Sequence, residues 1–71
     1  MFLSSNLIYL RHKYRLTQNE LAHELDISPS AIGMYEQNRR EPELRMLIKI
    51  ARFFNVSIDD LIKKDLQKEE S

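Results

Sequence analysis

The chain has 71 residues, 42% of them hydrophobic and 31% charged, with no cysteine. Such a length fits one domain with a small core, and the composition excludes a disordered chain, a disulfide framework and a thiolate metal site. Net charge is zero, yet residues 1–52 hold eight Lys/Arg against six Asp/Glu and residues 53–71 hold three against five, so a +2 part precedes a −2 part.

The pattern along the chain is helical throughout: two prolines, one glycine and no sustained alternation of apolar and polar residues. A first helix is expected over 5–14, with Leu7, Leu10 and Tyr14 inward. A second is expected over 18–25. Thr17 caps it, Glu20 completes a capping box, and Leu16 with Leu21 forms a hydrophobic staple. The third follows Ser28 as cap and Pro29 at its first position, where the missing N–H does no harm. Ile27 and Ile32 are its staple. A fourth is expected over 43–54, with Leu44, Leu47, Ile48, Ala51 and Phe54 as its stripe and Asn55 as a left-handed stop. A fifth is expected over 58–66, capped by Ser57 and stapled by Val56 and Leu61. The domain then covers 1–66, and 67–71 is expected to fray.

The second and third helices are joined by about three residues, so they cross steeply. Leu21, Leu25, Ile27, Ile32 and Tyr35 point inward, and Ala22 supplies the small side chain needed at the closest approach. The stretches "NLIYLR", "LTQNELAHELDIS", "AIGMYEQNRREP" and "LIKIARFFNVSIDDL" resemble the phage-repressor-like helix-turn-helix proteins of Cro/CI or XRE type. The resemblance spans residues 6–62 and implies an all-α, compact five-helix, lambda-repressor-like domain with its helix-turn-helix at helices two and three. Two positions depart from the family pattern. Asp26 and Asn38 stand where glycine is common, and both types tolerate a left-handed backbone.

The resemblance implies a sequence-specific, double-stranded DNA-binding transcriptional regulator, a repressor acting as a homodimer, with the third helix in the major groove. Carried over by position, Pro29, Ser30, Gly33, Met34 and Gln37 face the bases, with Ser28 as the cap at that end. The set holds no arginine to grip guanine, but Ser30 can donate or accept and Pro29 and Met34 can pack on thymine methyls. Thr17 and Gln18 begin the second helix, where N–H groups favour a phosphate. Gln37, Asn38, Arg39 and Arg40 are the remaining DNA candidates. Gly33 is the only glycine, in a helix interior, where it costs about 0.5–1 kcal/mol against alanine. It either lets the backbone sit deeper in the groove or avoids a clash with a neighbouring helix.

Arg11 and Glu36 are expected, from the family pattern, to pair at the seam of the first and third helices. Ile58, Ile62 and Leu66 repeat at helical spacing and offer a dimer interface, or else complete the core. An enzyme is not expected. His12 and His23 lack partners for a metal site or triad, and neither a cofactor nor a metal is implied. Two alternative readings share the fold: an antitoxin with a small protein partner that also autoregulates its operon, and a protein-interaction adaptor. With no signal-peptide pattern and no membrane span, the expected location is the cytoplasm, away from any membrane.

Overall fold

A computed structural model of the chain describes residues 1–69. Its helices are α1 (Leu3–Lys13), α2 (Gln18–Leu25), α3 (Pro29–Glu36), α4 (Leu44–Phe54), α5 (Ile58–Lys63) and α6 (Leu66–Glu69). No strand occurs among the described residues. Leu7, Leu21, Ile32, Ile50 and Leu61 are fully shielded from solvent at the centre, with Leu25 and Phe54 nearly so. Each such side chain contributes about 1.5–3 kcal/mol by leaving water.

Three junctions obey one rule. Arg15, Asp26 and Asn55 adopt left-handed φ angles of 57°, 58° and 56°. Each closes the preceding helix with two backbone bonds that satisfy its last carbonyls. At Asp26 these are Asp26 N–H to the His23 carbonyl, 3.2 Å, and Ile27 N–H to the Ala22 carbonyl, 3.0 Å. The next residue, Leu16, Ile27 or Val56, packs against the core. The third, Thr17, Ser28 or Ser57, accepts a backbone N–H of the next helix, from Glu20, Ala31 and Asp60 respectively. Stop, anchor and start thus occupy three consecutive residues: "RLT", "DIS" and "NVS". The capping box at Thr17 forms as expected, with Glu20 Oε1 accepting the Thr17 N–H at 2.8 Å.

Four expectations need correction. First, the helix foreseen over 58–66 breaks after Lys63, and a sixth helix covers Leu66–Glu69, within the stretch expected to fray; residues 70–71 lie outside the described residues. The cause is Asn6, which is 1% exposed. Its amide donates to the carbonyls of Leu61 at 2.7 Å and Lys64 at 2.6 Å, and its Oδ1 accepts the Leu66 N–H at 3.0 Å. One buried side chain therefore ends α5 and starts α6. Second, Leu66 is 9% exposed and belongs to the core, so it does not extend an outer stripe from Ile58 and Ile62. Third, Leu44 is 65% exposed; Ile50 takes the buried place on α4 beside Ala51 and Phe54. Fourth, α1 begins at Leu3 and ends before Tyr14. Tyr14 is half exposed, yet its ring meets Phe54 edge-on with centroids 5.2 Å apart.

Candidate nucleic-acid interface

α2 packs on α3 and α3 on α1. Leu21, Ala22, Leu25, Ile32 and Tyr35 are all buried, as the helix-turn-helix pattern requires. With Ile32 and Tyr35 committed inward, the outer surface of α3 is left to Pro29, Ser30, Gly33, Met34 and Gln37. These five, with Gln18 and Arg39, line one shallow open depression. Thr17 and Ser28 flank it as helix caps, and each hydroxyl oxygen is already accepting a backbone N–H. Each keeps an O–H to donate.

Asn38 and Arg40 are not brought to the depression. They line a separate pocket with Met1, Leu3, Ser4, Ser5 and Glu41. Asn38 has a φ of 59° and closes α3 in the same way as the other left-handed residues. The position after it is different: Arg39 stands where the other junctions have a Leu, Ile or Val partly buried against the core. The chain is therefore not anchored inward there, and Arg39 is left as the one charged residue lining the depression. Its Nη1 lies 3.4 Å from Gln37 Oε1.

Gly33 serves no packing need of the monomer. A Cβ built there would meet only Gln18 Nε2, at 3.9 Å, and its backbone is not in the left-handed region. The clash explanation is thereby removed. The bare backbone of Gly33 is part of the lining of the depression.

The seam behind the depression is an ion pair. Arg11 Nε lies 2.6 Å from Glu36 Oε2 and Nη2 lies 3.1 Å from Oε1, a bidentate arrangement. The two side chains are 13% and 6% exposed. Arg11 Nη1 also donates to the Leu16 carbonyl at 2.9 Å, so the pair ties α1, α3 and the first junction together. Sequence reasoning expected the pair but missed a third member: Gln18 Nε2 donates to Glu36 Oε1 at 3.0 Å.

The helix-turn-helix family model matches residues 7–61. The chain belongs to the XRE-type helix-turn-helix family. Among relatives in this family, it is 37% identical over 59 residues to an uncharacterized HTH-type transcriptional regulator of Methanocaldococcus jannaschii, covering 83% of this chain and 89% of that protein. It is 37% identical over 65 residues to the HTH-type transcriptional regulator ImmR of Bacillus subtilis, covering 92% of this chain and 51% of ImmR. It is 37% identical over 62 residues to the HTH-type transcriptional activator BcrR of Enterococcus faecalis, covering 87% of this chain but 30% of BcrR. The fold matches a transcriptional regulator from Listeria innocua with a TM-score of 0.79 at 24% identity, over 96% of this chain and 69% of that one. Among the described residues no group of side chains could hold a metal, and no helix is long and apolar enough to cross a membrane.

Proposed function

We propose that the chain is a transcriptional repressor that binds double-stranded DNA as a homodimer, seating α3 of each copy in the major groove. Membership of the helix-turn-helix family supports the coarser half of this reading, a DNA-binding regulator. The observation that carries it is the depression over Gly33. The five groove-facing residues line it together with Gln18 and Arg39, and a Cβ built at Gly33 would meet only Gln18 Nε2. Specific reading is left to Ser30, Met34 and Gln37, while Arg39 and Gln18 supply backbone grip. Repression needs only occupancy of a promoter, with no further contact to polymerase.

Dimerisation is assigned to the outer side of α5. Ile58 and Ile62 are half-buried there. Phe2, 40% exposed, is tied to the end of α5 by its N–H bond to the Ile62 carbonyl at 2.8 Å and adds apolar surface nearby. Selection of bound sites from random duplex DNA tests the reading. The expected product is an inverted repeat with half-site centres about 34–36 Å apart. Recovery of no enriched sequence would remove the DNA-reading function, and an enriched single half-site would remove the dimer. Transcription from a promoter carrying the selected site then distinguishes repression from activation.

A further inference from the structure

Glu36 is spent three times over. Its two oxygens accept Arg11 Nε and Nη2, and Oε1 accepts Gln18 Nε2 as well. A carboxylate has no proton to give, so the Gln18 amide is oriented with its nitrogen toward Glu36. Gln18 is thus not a free surface glutamine. It is clamped from behind while its outer edge lines the depression with Pro29, Ser30, Gly33 and Arg39. One N–H stays on Glu36 and the second remains for an oxygen outside. Arg11 fixes the Glu36 carboxylate in two places, so the position of Gln18 depends on a residue of α1 that does not itself line the depression.

We infer that the Arg11–Glu36 pair is a positioning device for DNA binding, holding the Gln18 amide ready to donate to a backbone phosphate. This rests on the proposed DNA-binding function and extends it to two residues behind the contact surface. The free protein has already fixed the rotamer of a long, flexible side chain, so binding loses less entropy at that contact. Gly33 contributes from the other side, because a large side chain there would displace the amide.

A double-mutant cycle on the selected duplex tests the inference, with folded content checked by circular dichroism well below the melting temperature. Gln18→Ala is expected to weaken binding about tenfold, the scale of one hydrogen bond to a charged group. Replacing the pair together, Arg11→Met with Glu36→Leu, avoids a stranded charge and is expected to weaken binding to a similar extent. Combining all three changes should then cost about tenfold as well, not about a hundredfold. Neutralising single phosphates as methylphosphonates supplies a readout that a purely structural role would not move. One phosphate should matter for wild type and cease to matter in both the Gln18 and the pair variants. Additive losses, or a pair variant that keeps the full phosphate pattern, would overturn the inference while leaving the DNA-binding function intact. If wild type bound no duplex, both would fall. If the pair variant does not fold, nuclear-spin relaxation of the Gln18 side-chain amide in the free wild-type protein decides. A rigid amide supports positioning, and a freely rotating one overturns it.

Discussion

Arg11 and Arg45 are both arginines on helices, and their surroundings make opposite predictions. Arg45 is exposed, and its removal should change stability by no more than about 0.5 kcal/mol. Arg11→Ala strands a carboxylate that is only 6% exposed, and the loss should approach the roughly 3–5 kcal/mol seen when one partner of a buried pair is removed. Thermal unfolding of the two variants checks this, and equal melting temperatures would contradict it. Gly33 yields the reverse pattern. Space for a Cβ is present, so Gly33→Ala should raise stability by about 0.5–1 kcal/mol. Gly33→Leu should also fold, yet lose at least about tenfold in affinity for the selected duplex, or about 1.4 kcal/mol. Calorimetry and titration on the same samples separate the two effects. The role of Gly33 was only half legible in the sequence. Its oddity in a helix was plain, but two causes fitted it until the space around the Cα was known.

At the scale of elements, local signals were read well and distant ones were not. Caps, staples and left-handed stops act within four or five residues, so Thr17, Ser28, Ser57, Asp26 and Asn55 declared their helices directly. The break between α5 and α6 has no glycine or proline to announce it. It is imposed by Asn6, about sixty positions away. A hint did exist: Asn6 lies on the same helical face as Leu3, Leu7 and Leu10, and a polar residue on a buried stripe must find partners there. Asn6→Leu should leave the Leu61 carbonyl and the Leu66 N–H without their side-chain partner. The expected loss is about 2 kcal/mol or more. Hydrogen exchange should show the Leu66 amide losing protection before those of α2 and α3. Uniform protection changes would mean that α6 does not depend on Asn6. Arg15 went unread for a different reason. An arginine carries no left-handed signal, and it is forced into that conformation by the closure of α1 and the start of α2.

For the molecule as a whole, two surfaces of a single copy differ in charge. The depression over α3 is bordered by Arg39, whereas α5 carries Asp59 and Asp60 near Ile58. Acidic residues disfavour contact with phosphate and suit a face turned from DNA. Ile58→Asp is therefore expected to leave the monomer folded, shift sedimentation toward the monomer, and remove cooperative binding to an inverted repeat while sparing weak half-site binding. A variant that sediments and binds like wild type would place the self-contact elsewhere. Ile58 and Ile62 are both only partly buried, so the proposed association would be weak enough for DNA to complete it.

The three-residue junctions have a consequence for how such a chain can change over generations. Because helix stop, core anchor and helix start are consecutive at 15–17, 26–28 and 55–57, none of them has slack. One inserted residue would part the left-handed stop from its cap and carry the anchor out of the core. Substitution is open at these places, since arginine, aspartate and asparagine all serve as the left-handed stop, but a change of length is not. The stretch from Gln37 to Glu43 between α3 and α4 lacks this arithmetic, since Arg39 replaces the anchor, and so does the junction of α5 and α6, which Asn6 holds instead. Of these two, the segment after α3 is the longer, and insertions and deletions there meet the least constraint. There they alter what surrounds the depression over α3 without disturbing the frame that presents it.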